Sequence, residues 1–392
     1  MKAVIWLNNE NILNNFRIND IKIYGKTIFD YQREILNSLG FQDIIVTKEK
    51  DITNIEEDIL LIGGNVIFEK ELILKLLEIS DSVQLVRNDL SIGIWKIHHK
   101  NKDYFRNIDV GDYFCAKLDS YDEFLKAFKH LSSFDFSLKN IKLAFIDLDG
   151  TIYLGDNLIN NADKFINLLR ANNIYFYFLS NNSSKSKKDY VMKLAKLGIM
   201  VSEENIILST DGLIDYLKEK NVKKVYTIGT EAMKEQIRNS GIIPDSEDPE
   251  FVVLGYDTEI TYEKLKKGAI FLQKGINLLA THCDKVCPSP EGFLPDVGAF
   301  LALFETATSK KPLKIFGKPN IEMIDSYIKR HKVSPSEVVI IGDRIYTDMQ
   351  LAKNIGSNFI LVLSGETKLE DVFQLSISPD LIIKNVGELV YG

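Results

Sequence analysis

This chain of 392 residues has few cysteines, no excess of basic charge and no long apolar run. Its three cysteines are an odd number, which excludes a complete disulfide framework and predicts a reducing, cytoplasmic location. No apolar run reaches the length of a membrane span, and the run Met1–Leu7 is too short for a signal peptide. Because the net charge is −7, we do not expect a general nucleic-acid binder.

The rest of the composition is that of a globular protein with more than one domain. Apolar residues make up 45% of the sequence, and the length suits two or three domains. We find no clear internal repeat and no low-complexity segment. A helical pattern ends near Ser132, and the polar stretch up to Ser137 predicts a boundary between residues 1–135 and 139–392.

The most informative segment is Asp147-Leu148-Asp149-Gly150-Thr151, which follows the apolar run Leu143–Ile146. That run predicts a buried strand. In an extended chain the side chains of Asp147 and Asp149 point to the same side, and Gly150 permits a sharp turn. Such a pair suits covalent phosphoryl chemistry, in which one carboxylate attacks phosphorus and the other handles the leaving group's proton. A polar strand end or a helix cap is the alternative.

A hydroxyl and two amides follow the next predicted strand. Ser180, Asn181 and Asn182 close the run Ile174–Leu179, whose length and aromatic content predict another buried strand. A hydroxyl at the carboxyl end of a strand can donate to a phosphoryl oxygen. Taken alone, this tripeptide is ordinary loop or N-cap material.

Two later segments supply a cation and further acids. Lys318 follows the strand-like run Leu313–Phe316 and can balance the negative charge of a nucleophile and a phosphate. Asp343 and Asp348 follow Val338–Ile341 and would complete an oxygen-rich site, the kind that Mg²⁺ prefers. Each segment alone could be a solvated turn.

Taken in this order, the four segments resemble the haloacid dehalogenase (HAD) superfamily over about residues 139–392. Further matches narrow the resemblance to HAD phosphatases with a C2 cap, the class IIA group of p-nitrophenyl-phosphatase-like enzymes. The resemblance implies a Rossmann-like α/β core with an inserted α/β cap. The further matches are Thr151-Ile152-Tyr153, Ser180-Asn181-Asn182-Ser183-Ser184, and Gly342-Asp343-Arg344 with Thr347-Asp348.

Spacing places the inserted domain. The 32 residues between Asp147 and Ser180 suffice for a loop and a helix near 162–172, whereas the 137 residues between Ser180 and Lys318 accommodate a domain. We therefore predict a core of residues 139–200 and 312–392 and a cap of residues 201–311. The cap elements predicted are the strands Val225–Ile228, Phe251–Leu254 and Ile276–Ala280 and the helix Tyr262–Gln273.

Cys283 and Cys287 lie near His282 and raise the possibility of a zinc site. A fourth ligand and the usual Cys-x-x-Cys spacing are both missing. In the resembled family this segment often reads Ala-Thr-Asn-x-Asp, and here it is Ala280-Thr281-His282-Cys283-Asp284. His282 therefore departs from the usual Asn, and either a specialised substrate contact or a packed or solvent-exposed histidine is expected.

The resemblance also implies a role for each polar residue. Asp147 would be the nucleophile that forms an aspartyl-phosphate, and Asp149 would protonate the leaving alcohol and then activate water. Mg²⁺ would be bound by Asp147, Asp343 and the main-chain carbonyl of Asp149. The other implied contacts to substrate or phosphate are Ser180 and Lys318 at the phosphoryl oxygens, Asp348 orienting Lys318 or a water on the metal, and Thr151, Asn181, Asn182 and His282 nearby.

The pattern of the first 135 residues predicts a separate α/β domain. Strands alternate with a helical pattern, which predicts a parallel layer. The elements predicted are the strands Ala3–Leu7, Ile44–Thr47 and Ile59–Gly64 and the helix Thr27–Leu39.

From Tyr24 to Val46 the pattern resembles sugar-nucleotidyltransferases. That family has a Gly-rich loop after its first strand, because backbone N–H groups must surround a triphosphate. Here the first strand is followed by residues 8–13, which contain no glycine, and Gly64 stands where a metal-binding Asp is expected. We therefore expect a degenerate domain that binds a sugar phosphate or nucleotide or forms a dimer surface. An unrelated α/β domain with the same periodicity is the alternative.

Together these features predict a Mg²⁺-dependent phosphatase for a small phosphorylated metabolite such as a sugar or polyol phosphate. Its partner would be that small-molecule ester, with no nucleic acid and no membrane, and a homodimer is possible. Two alternatives stay open. One is a bifunctional enzyme that also transfers a nucleotidyl group, and the other is a non-catalytic binding or scaffold protein.

Overall fold

The computed structural model describes residues 1–7, 12–13, 16–17, 21–23, 26–47, 57–98, 105–132, 140–289, 292–373, 375 and 377–390. The chain forms two compact units, Met1–Ser133 with Lys368–Ile382, and Phe134–Thr367 with Ile383–Gly392. Most of the predicted boundary up to Ser137, and the loop at residues 8–11, lie outside the described residues. Among the helices that are described, none combines the length and apolar character of a membrane span.

A six-stranded mixed sheet forms the centre of the first unit. Lys2–Trp6 pairs in parallel with both Ile44–Thr47 and Ile59–Gly63, as the α/β pattern predicts. The expectation of a purely parallel layer is wrong, because Leu90–Ile97 runs antiparallel to both of its neighbours. The strand order is Arg106–Asp109, Val83–Arg87, Leu90–Ile97, Ile59–Gly63, Lys2–Trp6 and Ile44–Thr47.

The first helix of this unit begins where its sequence provides a cap. Thr27 Oγ1 accepts from the Asp30 N–H, and the Asp30 carboxylate accepts from the Thr27 N–H, which satisfies two otherwise unpaired donors. The helices of the unit are Ile28–Ser38, Lys70–Leu77, Tyr121–Leu131 and Leu369–Val372. Its short strand pairs are Ile12–Leu13 with Phe16–Arg17, Lys22–Ile23 with Lys26–Thr27, and Val66–Phe68 with Cys115–Lys117.

Residues 368–382 belong to the first unit, although the sequence assigns them to the phosphatase core. Leu369 and Phe373 are buried, and the Phe373 ring centroid lies 5.0 Å from that of Phe124. The Ser132 hydroxyl donates to the Asp380 carbonyl at 2.5 Å. A domain boundary drawn along the chain misses such a segment, because its apolar pattern does not say which core buries it.

The core of the second unit is a sheet with the strand order Ile206–Leu208, Tyr175–Ser180, Leu143–Asp147, Val338–Gly342 and Asn358–Val362. These five strands are mutually parallel, so their carboxyl ends meet along one edge. The boundary between the units falls within a further strand, Leu381–Ile383. Asp147 lies opposite Leu179 in this register. The predicted start of the cap at residue 201 is too early, since Ile206–Leu208 pairs with the core strand.

The inserted cap has its own parallel sheet, with the order Val225–Ile228, Phe251–Leu254, Asn277–Ala280 and Lys314–Ile315. Its helix Tyr262–Gln273 has the predicted bounds. The predicted end of the cap at residue 311 is also wrong, because the strand Lys314–Ile315 joins the cap sheet. The sequence of such a short apolar strand does not show which sheet the strand will join.

The other elements of the second unit connect these sheets. Its remaining α-helices are Ala162–Ala171, Lys187–Lys196, Ser209–Glu219, Glu231–Asn239, Val297–Thr308, Asp325–His331 and Gln350–Ile355. Its 3₁₀ helices are Glu203–Asn205, Ile321–Met323, Pro335–Glu337 and Val386–Val390, and Ile345–Met349 is a π-helical turn. Among its described residues, hairpins pair Tyr153–Leu154 with Asn157–Leu158 and Val286–Ser289 with Gly292–Pro295.

Candidate active site

Three carboxylates meet at the carboxyl edge of the core sheet. Asp147 ends one strand, Asp343 follows its neighbour, and Asp348 lies in the π-helical turn Ile345–Met349. One oxygen from each of the three lies within 4.8 Å of the others, and all three residues are buried. Burial, together with the charge of Asp147, raises the pKa of Asp343 well above its usual range. Carboxylates this close repel one another, so the cluster needs cations.

Gly150 allows this cluster to close. Its φ is +84°, in the left-handed region that favours glycine. A Cβ on Gly150 would lie 2.6 Å from Asp343 Oδ2, which is closer than real Cβ contacts allow. The glycine that the sequence assigns to a sharp turn therefore also permits Asp343 to approach the loop that follows Asp147.

Lys318 is the buried cation of the site. Its Nζ donates to Asp147 Oδ1 and, at 2.7 Å, to Asp348 Oδ1. Burial alone would lower the pKa of Lys318, but the charges of Asp147 and Asp348 outweigh it and raise the pKa above its ordinary value. The Lys318 backbone N–H donates to Asn181 Oδ1 at 2.8 Å. Lys318 is thus held as an ammonium ion between two carboxylates.

Asp149 lies beside the cluster with its own surroundings. The Tyr153 hydroxyl donates to Asp149 Oδ2 at 3.3 Å, and the Lys193 ammonium lies 3.6 Å from the centre of the Tyr153 ring. Burial raises the pKa of Asp149, and the charge of Lys193 opposes that shift in part. Asp147 and Asp149 therefore occupy different electrostatic environments although they are two residues apart.

The residues after the strand Tyr175–Ser180 take two different positions. Ser180 Oγ lies 3.1 Å from the Tyr190 hydroxyl and accepts from the Asn182 N–H at 3.2 Å. Asn181 is tied into the framework, since its amide donates to Asp284 Oδ2 at 3.2 Å and to the Lys318 carbonyl. The structure thus shows Asn181 holding the backbone of Lys318.

The cap contributes a second acidic edge, which the sequence does not single out. Arg344 Nη1 lies 2.9 Å from Asp284 Oδ2, so a core arginine is paired with a cap carboxylate. The Arg344 Nε also lies 2.9 Å from Glu366 Oε2. The Gly342-Asp343-Arg344 motif and the Ala280–Asp284 segment contain both partners, but only their pairing in space reveals the connection.

His282 does not line the cleft among the described residues, which corrects its assignment as a substrate contact. Its side chain is fully buried, with Nδ1 2.9 Å from Thr281 Oγ1 and Nε2 2.9 Å from Asp296 Oδ1. His282, Asp284 and Asp296 have donor atoms within 4.8 Å of one another, but each already has a hydrogen-bond partner. The histidine is packed and orients Asp296. The sequence does not reveal this, because residue type alone does not show whether a histidine is buried or lines a cleft.

Thr151 is also fully buried and is absent from the cleft wall among the described residues. Among the described residues, Cys283 and Cys287 form no disulfide and belong to neither acidic cluster. Of this pair only Cys287 reaches the cleft, and burial raises its pKa. The residues that line the cleft are Asp147, Asp149, Ser180, Asn181, Asn182, Asp284, Cys287, Asp296, Lys318 and Arg344.

The donor set fits a hard divalent cation. Asp343 Oδ1 is buried and accepts no hydrogen bond from any described residue. Asp348 Oδ1 is occupied by Lys318, whereas Asp147 retains an exposed fraction of 11% and faces the cleft. Oxygen ligands of this type suit Mg²⁺. A buried carboxylate oxygen without a partner is costly, and a cation would satisfy it.

Comparisons with known proteins place residues 144 onward in one family. The family model described as haloacid dehalogenase-like hydrolase matches residues 144–243, and a HAD-hydrolase-like model matches residues 315–389. Both matches lie after residue 143. The likeness of residues 1–135 to a nucleotidyltransferase therefore remains a prediction.

The relatives are phosphatases. An acid sugar phosphatase of Staphylococcus haemolyticus is 31% identical over 252 residues, which cover 64% of this chain and 95% of that protein. The crystal structure of a 4-nitrophenylphosphatase from Thermotoga maritima is 40% identical, covers 65% of this chain and 98% of its own, and has a TM-score of 0.63.

A third similar protein was solved with a bound metal ion. The structure of a glycerol phosphate phosphatase from Mycobacterium tuberculosis in complex with magnesium is 25% identical, covers 64% of this chain and 77% of its own, and has a TM-score of 0.59. The chain therefore belongs to the haloacid dehalogenase-like hydrolases, among their C2-capped, p-nitrophenylphosphatase-like phosphatases, and is a phosphoric monoester hydrolase.

Proposed function

We propose that the chain hydrolyses the phosphate monoester of a small sugar or polyol through an aspartyl-phosphate on Asp147. One observation carries this proposal. Asp147 faces the cleft beside Asp149 while its other side is held by the Lys318 ammonium. A nucleophile, a second carboxylate for proton transfer and a buried cation therefore converge on the place where a phosphoryl group would sit.

The bonds made and broken in the two steps involve only Asp147, Asp149, the ester and water. An Asp147 oxygen attacks phosphorus as the bond from phosphorus to the ester oxygen breaks, and Asp149 gives its proton to the departing alkoxide. A water molecule then attacks the same phosphorus and passes a proton to Asp149. The bond from phosphorus to Asp147 breaks, inorganic phosphate leaves, and both carboxylates return to their initial states.

The surrounding donors stabilise the charge that moves onto the phosphoryl oxygens. Lys318 supplies a fixed ammonium, and Ser180 supplies a hydroxyl at the cleft wall. Mg²⁺ would be held by Asp147, Asp343 and the main-chain carbonyl of Asp149, and it would neutralise negative charge on the phosphoryl group. Asp348 positions Lys318 through their 2.7 Å contact.

The cap side of the cleft supports the substrate class. Asp284 and Asp296 place carboxylate oxygens there, and carboxylates accept hydrogen bonds from hydroxyl groups. Asp284 is partly occupied by Arg344, whereas Asp296 is held in place by His282 and by the Val297 N–H. A hydroxyl-rich leaving group matches this acidic wall better than an apolar one. The names of the acid sugar phosphatase and the glycerol phosphate phosphatase agree with that class.

A panel of phosphate esters tests the proposal. Initial rates are measured with hexose phosphates, glycerol phosphate, a nucleoside monophosphate and 4-nitrophenyl phosphate, each with Mg²⁺ and with EDTA. We expect Mg²⁺-dependent release of phosphate and the highest kcat/KM with a sugar or polyol ester. No release from any ester would refute the phosphatase mechanism, and a clear preference for the nucleotide would refute the substrate class.

The variant Asp296→Asn tests whether Asp296 recognises the leaving group of the substrate. Asp296 is the N-cap of Val297–Thr308, and Asn is an equally good N-cap, so the helix should be retained. We expect KM to rise for the sugar or polyol ester and to stay unchanged for 4-nitrophenyl phosphate, which has no hydroxyl groups on its leaving group. Equal changes for both esters would show that Asp296 does not recognise the leaving group.

A further inference from the structure

The first unit contains a cavity of about 270 Å³ that the phosphatase chemistry does not use. The chain has only two tryptophans, and both of them, Trp6 and Trp95, line this cavity. The volume is near the lower end of small-molecule sites, which begin at roughly 300 Å³. The described residues that line it are Trp6, Gly63, Asn65, Ser91, Gly93, Trp95 and Lys117.

The cavity lies where the topology of an α/β sheet favours a ligand. From Lys2–Trp6 the chain passes to Ile44–Thr47 on one side and then to Ile59–Gly63 on the other. Such a reversal leaves a crevice outside the carboxyl ends of the two diverging strands, and ligands of open α/β sheets bind there. Trp6 and Gly63 are the carboxyl-terminal residues of those strands and lie opposite each other.

The two indole rings belong to the same face of the sheet. Trp95 lies opposite Leu61, and both tryptophans pack against the small apolar cluster that includes Val4 and Leu61. Trp95 Nε1 donates to Gln84 Oε1 at 2.9 Å, which fixes the orientation of that ring. The apolar part of the cavity is therefore aromatic and held in place before any ligand arrives.

The polar part of the cavity consists of an amide and a cation. Asn65 is only 5% exposed and lines the cavity. Its side-chain amide can both donate and accept hydrogen bonds with a ligand there. Lys117 is 44% exposed and lies 3.7 Å from Asp119, so its ammonium remains accessible. Gly63 keeps space free, since a Cβ there would lie 3.2 Å from Asn65 Oδ1.

We propose that this cavity binds a small anionic ligand with a planar heteroaromatic ring, of the nucleoside monophosphate class. A flat ring can stack on the tryptophans. The Asn65 amide presents one donor and one acceptor, and these match the edge of a nucleobase. Lys117 attracts the phosphate group. The site is separate from the catalytic cleft, and the proposal does not depend on which ester the phosphatase prefers.

Tryptophan fluorescence of the full chain reports on this cavity alone, because the second unit contains no tryptophan. The titration is made in an Asp147→Asn background, so that the ligand is not hydrolysed. The probes are a nucleoside monophosphate, the matching nucleoside, a hexose phosphate and inorganic phosphate. We expect saturable quenching by the nucleoside monophosphate, weaker binding of the nucleoside and no saturation with the other two.

Two lysine variants complete the test. Lys117→Gln should weaken the nucleoside monophosphate about fivefold by removing a charge-assisted contact, while the affinity for the uncharged nucleoside stays the same. Lys129→Gln, a matched change in the last turn of Tyr121–Leu131, should leave both affinities unchanged. Quenching that never saturates, and that free tryptophan amide reproduces, would overturn the proposal. Saturation by the hexose phosphate in place of the nucleotide would overturn the ring assignment.

Discussion

The two units use the same sheet edge for different chemistry. In each, a first parallel strand lies between two neighbours and ends at the residue that begins the site. In the second unit that residue is Asp147, and the neighbouring strand ends add a serine and further carboxylates. In the first unit it is Trp6, and the neighbouring strand ends at Gly63. Strand pairing thus positions the ends, and the residue type at each end decides the chemistry.

The two sites also differ in how deeply their charged side chains are buried. The catalytic cleft concentrates carboxylates around the fully buried ammonium of Lys318. Among the described residues that line the cavity in the first unit, the lysine is Lys117, which lies at an exposed position. Substitutions at the first site should therefore abolish a reaction, whereas substitutions at the second should shift an affinity. The following predictions test this contrast and the independence of the units.

The largest expected effect is that of Asp147→Asn. The amide cannot act as the nucleophile, so we expect kcat to fall roughly a thousandfold or more while the circular dichroism spectrum is preserved. Asp112→Asn, the same chemical change at an exposed position of the first unit, is the control and should have no effect. Residual turnover above a few per cent, in protein free of contaminating phosphatase, would remove Asp147 from the mechanism.

Removal of divalent cations should have the next largest effect. We expect EDTA to abolish turnover and Mg²⁺ to restore it, with Ca²⁺ a poor substitute, since Mg²⁺ requires tighter octahedral geometry. Asp343→Asn should raise the Mg²⁺ concentration needed for half-maximal rate, because Asp343 Oδ1 is the buried oxygen without a protein donor. Full activity after exhaustive chelation would contradict the assignment of the metal.

A smaller effect on catalysis, but a large one on stability, is expected from Phe124→Ala. The fully buried ring packs against Phe373, and its loss should cost about 3–5 kcal/mol of folding free energy. Tryptophan fluorescence follows the first unit during denaturation, and phosphatase activity follows the second. We expect the fluorescence midpoint to fall and kcat to change less than about twofold, with Phe124→Leu much closer to wild type.

If both midpoints instead fell by the same amount, the two units would unfold as one. The same result would argue against a functional 136–392 fragment. That fragment would in any case expose Leu369, Val372 and Phe373, so low solubility should not be taken for loss of catalysis.

The smallest effects are expected when one helix cap in each unit is removed. Thr27 caps Ile28–Ser38 in the first unit, and Thr261 caps Tyr262–Gln273 in the second. Each Thr→Ala change should cost about 1 kcal/mol, because one backbone donor loses its acceptor. Thr27→Ala should lower only the fluorescence midpoint and Thr261→Ala only the activity midpoint. A crossed result would show that local stability is shared between the units.

The convergence of the predicted site residues follows from the sequence because its geometry is local, and their catalytic roles stay predictions. Strand ends and the i, i+2 spacing bring Asp147 and Asp149 to one site, and parallel pairing aligns them with Ser180 and Asp343. The helix Tyr262–Gln273 and the strand Phe251–Leu254 are also predicted to the residue, because turn and cap residues mark their ends.

The sequence fails where a property depends on distant partners. The burial of His282 depends on Asp296, and the pairing of Arg344 with Asp284 joins residues that are far apart in the chain. Lys314–Ile315 and Ile206–Leu208 are short enough to fit either sheet, and the antiparallel direction of Leu90–Ile97 is not encoded in its own apolar pattern. Local propensity does not specify these choices.

The return of residues 368–382 to the first unit has a consequence for synthesis on the ribosome. More than two hundred residues separate Leu131, where the last N-terminal helix ends, from Leu369. At translation rates of roughly 5–20 residues per second, the N-terminal unit waits on the order of ten seconds or more for its final segment. Phe124 lacks its Phe373 partner during that time, so the first unit is completed only after residues 134–367 of the second unit have been translated.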